Sequence, residues 1–309
     1  MGARRPLVPV LVGPTAVGKT AVAIELARFL PVTVISADSR QIYRGLDIGT
    51  AKPTAEERST VPHLGLDLVE PGERYSAGRY AAEAARWIEA LPGDRQPVVV
   101  GGTGFYIRAL ADGLFREPPM DVEKRRLLRD WTGSLDGPGR WAVRLDPGFA
   151  GGGRQRAVRA IEVALLTGRS LSWWQRQAKV DAPIDPWYVR LTVPRPVLSR
   201  RIESRVREML GAGFVEEVRA VLDRGVPWNA RGLDAVGYRE VVSHLRGLLP
   251  AESLVDSIAA GTRQYAKRQE TWFRHQLGGE SVLVLNATDT PSTLAARIAD
   301  LWERRCASE

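Results

Sequence analysis

Residues 13–20 read Gly-Pro-Thr-Ala-Val-Gly-Lys-Thr and match the pattern G-x-x-x-x-G-K-T. In that pattern glycines let backbone N–H groups turn inward around phosphate oxygens at a helix start, where the helix dipole favours an anion. Gly13, Pro14, Thr15, Ala16, Val17 and Gly18 would form the cradle. Lys19 would reach the terminal phosphates, and Thr20 would hold Mg²⁺ through its hydroxyl. The spacing points to phosphate binding and leaves the phosphorylated molecule open.

Two further residues could do chemistry beside the cradle. Asp38 lies where the apolar, β-branched run from Val32 stops at polar Ser36–Ser39, and a carboxylate there is the natural base. Its plain alternative is a turn or helix-capping carboxylate. Thr103 follows "VVVGG", whose glycines admit a ligand close to the backbone; its hydroxyl can position an amine or accept from it but is no base alone. No strand ends in an apolar run plus Asp, the pattern that would hold a triphosphatase metal from a second side. An acid at position 38 would equally serve a small-molecule kinase by accepting a hydroxyl proton. A kinase and a non-kinase transferase are both open on these residues.

The elements that must position these groups alternate. Val8–Val12 is a short apolar run before the Gly-rich turn, followed by Ala, Ile and Leu at helical spacing. "VTVISADS" is a second buried strand, "AGRYAAEAARWIEAL" a helix closed by Pro92 and Gly93, and "QPVVVGGTG" a third strand. Such alternation implies a parallel sheet with its ligand at the carboxyl ends of the strands. The Gly-rich loop, Asp38 and Thr103 all fall there.

At Arg116–Pro119 the pattern changes to a basic, Trp-bearing stretch of helical spacing without clear strands. Within it a helix is expected from about Arg154 to Leu166, closed by Gly168. Strand composition resumes at "DPWYVRLTVP". The expected organisation is therefore a core of residues 1–116 and 184–309 with an insertion at 117–183. Helices are expected over about 195–224, 233–247 and 252–277, then a last strand at "SVLVLNA" and a polar closing helix.

The net charge is +8, with 44% hydrophobic and 26% charged residues, the balance of an ordinary globular protein. Residues 116–182 hold 13 Lys and Arg against 8 Asp and Glu, so about a fifth of the chain carries most of the surplus and favours a polyanionic partner. Cys306 is the only cysteine, and "CASE" lacks the features of a prenylation signal. His63, His244 and His275 have no ligand spacing. No apolar run spans a bilayer and no signal peptide is evident, so a cytoplasmic protein without membrane contact is expected. Nothing resembles a coiled coil or a dimer seam, and a monomer is expected.

"GPTAVGKT", "ISADSRQIYRGLDIGTAKP" and "VVVGGTGFYIRAL" resemble the tRNA dimethylallyltransferase (tRNA isopentenyltransferase) family. The likeness continues through "RQRAVRAIEVALLTGRSL", "GFVEEVRAVL", "AVGYRE" and "RQYAKRQETWFR", spanning about residues 8 to 277 in order. It implies an α/β fold, a P-loop NTPase-like parallel sheet flanked by helices, with an inserted, mainly helical tRNA-binding domain. The cradle would hold the diphosphate of dimethylallyl diphosphate with Mg²⁺, and no nucleotide need be hydrolysed. The prenyl group would pass to N6 of an adenine beside the anticodon.

By this resemblance Asp38 would take the proton of the adenine amine and Thr103 would hold that amine, while Ser39, Arg40 and Gln41 would contact the neighbouring nucleotide. Arg219 resembles an arginine that reaches the diphosphate. The insertion would clamp the anticodon stem through Gln155, Arg156 and Arg159, which share one helical turn, with Arg125 beside them. Gly237, Tyr238 and Arg239 would also meet RNA, as would Lys267, Arg268, Gln269, Trp272 and Arg274. Helical spacing puts Arg263, Lys267 and Arg274 on one face and Tyr265 with Trp272 on another, expected to be core.

"FAGGGRQ" departs from the family pattern, which carries a His/Asn/Asp-containing turn before this helix. A small-molecule kinase would place arginines in a small lid over a γ-phosphate, whereas this insertion is larger and spreads its cations along helices. A non-catalytic RNA-binding protein would not need Lys19, Thr20 and Asp38 intact.

Overall fold

The computed structural model describes residues 5–113, 118–177, 181–277 and 282–308. In chain order the elements are β1 (Leu7–Val12), α1 (Lys19–Leu26), β2 (Val32–Ala37), α2 (Ala55–Thr60), β3 (His63–Leu64), α3 (Ala77–Glu89), β4 (Gln96–Gly101) and α4 (Gly104–Asp112). Then come α5 (Val122–Ser134), α6 (Pro138–Leu145), α7 (Arg154–Thr167), α8 (Leu171–Gln177) and β5 (Asp185–Thr192). The chain closes with α9 (Arg195–Gly211), α10 (Phe214–Asp223), α11 (Tyr238–Leu245), α12 (Leu254–Gln276), β6 (Leu283–Asn286) and α13 (Pro291–Ala307). It divides into two compact units, one of residues up to Ala111 with those from Pro183 onward, the other Asp112–Ala182.

The first unit is built on a parallel sheet whose described strands run β3-β2-β4-β1-β5-β6. Strand β2 is buried along its whole length, as are β1 from Val8 and β4 from Val98, because helices cover both faces of such a sheet. Register does the positioning. Gly101 pairs with Val12 on one side and Ala37 on the other. The three strands therefore end level, and the next residues, Gly13, Asp38 and Gly102, leave the sheet together at its carboxyl edge.

Three expectations change. The helix expected over 195–224 is two helices, because Gly213 takes the left-handed conformation at φ 97° and lets the chain turn between α9 and α10. The segment before Tyr238 is turn rather than helix, so α11 begins five residues later than the spacing suggested. Strand β3 and helix α2 had no counterpart in the sequence reading. Two residues are too few for an alternation to be seen, and α2 is a six-residue helix fixed by its capping box, with Thr54 accepting from the Glu57 N–H and Glu57 from the Thr54 N–H.

The second unit is helical in its described part, α5 to α8. Its small core packs Ala142, Ala157, Ala160 and Ile161 against Leu135, Leu145, Phe149 and Leu171. Of the expected breaker at Arg116–Pro119, Arg116 and Glu117 lie outside the described residues, as does Ser281 of the last strand. No helix among the described residues is long and apolar enough to cross a membrane.

Candidate active site

The level strand ends place the Gly-rich loop beside Asp38 and Thr103. Lys19 opens α1 and folds back over the loop, where its Nζ donates to the carbonyls of Gly13 and Pro14, both at 2.9 Å. Burial lowers its pKa to about 8; the charge of Asp38 opposes that shift and Arg205 adds to it. Burial likewise lowers the pKa of Arg205, again opposed by Asp38. Two desolvated cations thus flank one carboxylate, and an anion bound here restores what they lose by leaving water. Val17 is fully buried, so it offers the cradle only its backbone.

Asp38 lies on the wall of two cavities. One of about 40 Å³ is lined by Lys19, Thr20 and Gln41 among others. The other, about 280 Å³, is lined by Thr15, Arg205, Gly237, Arg239, Tyr265 and Arg268 among others. Asp38 Oδ1 accepts from the Arg40 N–H at 2.8 Å, closing the turn that leaves β2. Thr103 fixes the same turn, its Oγ1 accepting from the Ser39 N–H at 2.9 Å and donating to Ser39 Oγ at 3.2 Å. The turn that carries Asp38 is therefore fixed by both the Arg40 N–H and Thr103, and the carboxylate lines one small cavity with the cradle.

A family model described as IPP transferase matches residues 41–276, and one described as isopentenyl transferase matches residues 6–67. The chain belongs to the IPP transferase family. It is 43% identical over 275 residues to the tRNA dimethylallyltransferase of Syntrophobacter fumaroxidans, covering 86% of this chain and 80% of that protein. Over 295 residues it is 42% identical to the tRNA dimethylallyltransferase of Anaeromyxobacter dehalogenans, covering 93% and 97%. Among solved structures, the full-length tRNA isopentenylpyrophosphate transferase of Bacillus halodurans superposes with a TM-score of 0.73 at 32% identity, covering 99% and 98%. A eukaryotic dimethylallyltransferase acting on tRNA superposes with a TM-score of 0.75 at 28% identity, covering 92% of this chain and 74% of that one.

Within this IPP transferase core several expected contacts take other roles. Arg219 stands exposed on α10, 4.0 Å from Glu216, and does not line either cavity that holds Asp38. Arg205 on α9 lines the larger cavity with Asp38, as do Arg40, Arg239 and Arg268. Tyr238 is fully buried, and its hydroxyl donates to Glu217 at 2.6 Å. Gln269 is buried as well, bridging the Thr15 N–H and the Gly102 carbonyl. Neither side chain has a free face for RNA.

Gln41 is also engaged. It accepts from Ser36 Oγ and donates to the carbonyls of Thr50 and Ala51, bracing the loop that follows Asp38. Arg40 reaches the carbonyls of Arg231 and Asp234, and Ser39 is bound to Thr103. Gly237, Arg239 and Arg268 line the larger cavity, and Lys267 and Arg274 are exposed on α12.

Tyr265, expected in the core, instead lines that cavity, and burial pushes its pKa up to about 12. Trp272 is half-buried against Gly104, where any Cβ would stand 2.5 Å from the indole. Phe273 is the α12 aromatic that enters the core.

Glu217, which the sequence reading did not single out, fastens the loop between Asp38 and Pro53. Its Oε2 accepts from the N–H groups of Asp47 at 2.7 Å and Ile48 at 2.6 Å, and Oε1 from Gly49 at 3.2 Å. Lys52 ties the same loop from inside, its buried ammonium pairing with Asp47 and Asp67 and donating to the Tyr43 carbonyl.

In the second unit Arg125, Arg129 and Arg159 converge on buried Glu162. Arg125 and Arg159 therefore stand in a fixed network, whereas Gln155 and Arg156 are exposed at the start of α7.

Proposed function

We propose that this chain transfers a dimethylallyl group from dimethylallyl diphosphate to the N6 amine of an adenine adjacent to the anticodon in tRNA. The observation that carries the reading is the shared site: Lys19 and Thr20 of a phosphate cradle line one small cavity with Asp38. A kinase needs a lid over a γ-phosphate, and the family to which the chain belongs has relatives named for prenyl transfer to tRNA.

In this reading the loop N–H groups, Lys19 and Arg205 hold the diphosphate and stabilise the charge it gains on leaving. The adenine leaves the anticodon-loop stack to enter the site, as in other base-modifying enzymes. Its N6 attacks the allylic carbon, the carbon–oxygen bond to the diphosphate breaks, and Asp38 accepts the N6 proton. An aryl amine is a weak nucleophile, so a base at hydrogen-bond distance contributes roughly 10²–10⁴-fold. Thr103, bound to Ser39, keeps an acceptor lone pair for the amine.

Thr20 is half-buried at the cradle, and no cluster of three His, Cys, Asp or Glu suited to a metal occurs among the described residues. One hydroxyl fits a Mg²⁺ carried by diphosphate oxygens and water rather than a resident ion in a protein cage. Mg²⁺ so bound by Thr20 would neutralise leaving-group charge. The exposed Gln155 and Arg156, and the Arg125–Arg129–Arg159 cluster, would hold phosphates of the anticodon stem, and Arg239, Arg268, Lys267 and Arg274 those of the loop. We expect a monomer.

The test is an ATP-free reaction of labelled dimethylallyl diphosphate, Mg²⁺ and an unmodified anticodon stem–loop. Label in adenosine after digestion of the RNA supports the reading. Phosphate release from ATP without any transfer would overturn it in favour of a kinase.

A further inference from the structure

Helix α4 begins immediately after Thr103, which caps it through its carbonyl by accepting from the N–H groups of Tyr106 and Ile107. Tyr106, Ile107, Ala109, Leu110 and Ala111 are all buried. Phe105 is not; it is 69% exposed. A single exposed apolar side chain needs no explanation by itself. This one is two residues from Thr103, and it shares the solvent face of α4 with Arg108, three positions on. Trp272 closes beneath Gly104, and Arg108 meets Gln276 at 3.4 Å, so the start of α4 is fixed against the Trp272–Gln276 side of α12. An exposed planar ring with an arginine one turn on along the same face, two residues from the residue that would hold the acceptor amine, is the composition of a single-stranded nucleic-acid stacking platform.

We infer that Phe105 stacks on an RNA base adjoining the adenine drawn into the site. The inference rests on the transferase reading above. Drawing a base out of a stack leaves its neighbour with one face uncovered, and an exposed ring two residues from Thr103 can replace the lost contact. Arg108, on the same face of α4, takes a flanking phosphate. No leucine or alanine can replace the ring, because the contact is face to face rather than merely apolar.

The experiment places 2-aminopurine at each nucleotide flanking the target adenine in an anticodon stem–loop. Its fluorescence is read on binding without prenyl donor, to the wild type and to Phe105→Ala, Phe105→Leu and Phe105→Trp. The wild type and the tryptophan variant change the signal at one flanking position, and the alanine and leucine variants do not. In the complete reaction kcat/KM for the RNA falls roughly tenfold to a hundredfold in Phe105→Ala, the scale of one base–aromatic stack, and recovers in Phe105→Trp. Affinity for dimethylallyl diphosphate is the same in all four proteins.

Equal signals and equal kcat/KM for the wild type and Phe105→Ala would overturn the inference while leaving the transferase reading in place. A wild type that gives the base-specific signal yet transfers no prenyl group would sink that reading and keep the stack.

Discussion

Gln269 joins two ligand-facing loops through one side chain. Its Oε1 accepts from the Thr15 N–H at 2.8 Å, and its Nε2 donates to the Gly102 carbonyl at 2.9 Å. Helix α12 thereby fixes the Gly-rich loop relative to the end of β4. Gln269→Ala leaves a buried donor and a buried acceptor unpartnered, at about 1–3 kcal/mol each. We expect a Tm several degrees lower and weaker binding of dimethylallyl diphosphate, read by thermal melts and calorimetric titration. Gln269→Glu should not rescue it, because a carboxylate cannot donate to Gly102.

Arg205 and Arg219 give opposite expectations. Arg205 faces Asp38 and Lys19, whereas Arg219 stands in solvent. Losing a hydrogen bond to a charged group costs about 1.5–3 kcal/mol, so Arg205→Ala should raise KM for the prenyl donor roughly tenfold to a hundredfold. Arg219→Ala should leave it within about twofold, as surface substitutions generally do. Steady-state kinetics on the two variants reads the difference.

Glu217 and Tyr238 should separate by size of effect. The carboxylate accepts three backbone N–H groups and the tyrosine hydroxyl, while the hydroxyl supplies only one of those bonds. Tyr238→Phe should lower stability by about 0.5–1.5 kcal/mol, the scale of one hydrogen bond, and Glu217→Ala by several times that. Amide exchange at Asp47, Ile48 and Gly49 should accelerate in Glu217→Ala and stay slow in Tyr238→Phe.

Buried Glu162 holds the second unit together against its own charge. Glu162→Gln removes the buried carboxylate that Arg125, Arg129 and Arg159 share; because the guanidiniums keep contact with water, we expect a loss of about 1–3 kcal/mol. Limited proteolysis should cut faster within residues 112–182 and no faster elsewhere.

The sheet was legible because each of its long strands is an apolar run ending at Gly or at polar residues, and the Gly-rich loop, Asp38 and Thr103 declared themselves at those ends. The residues that fix the site were hidden because their roles arise from contacts hundreds of positions apart, as between Thr15 and Gln269. A signal did exist for two of them. Arg205 shares the inward face of α9 with Leu198, Ile202 and Val206, and Glu217 that of α10 with Phe214, Val218 and Val221. A charge on an apolar stripe marks a side chain with a buried partner. Arg219, in contrast, lies on the exposed face of α10, opposite that stripe. The bonds of Arg40 and Gln41 to Thr50, Ala51, Arg231 and Asp234 were hidden for the same reason, since they join segments that one dimension keeps apart.

Proton transfer to Asp38 is the step on which the proposed transfer turns. Asp38→Asn keeps the oxygen that accepts from the Arg40 N–H, so the turn survives while the base is lost. Single-turnover transfer of labelled dimethylallyl groups into an anticodon stem–loop, with donor binding measured alongside, tests it directly. Donor affinity should stay close to wild type while the transfer rate falls by about a hundredfold or more. Transfer by Asp38→Asn at a rate comparable to the wild type would contradict it.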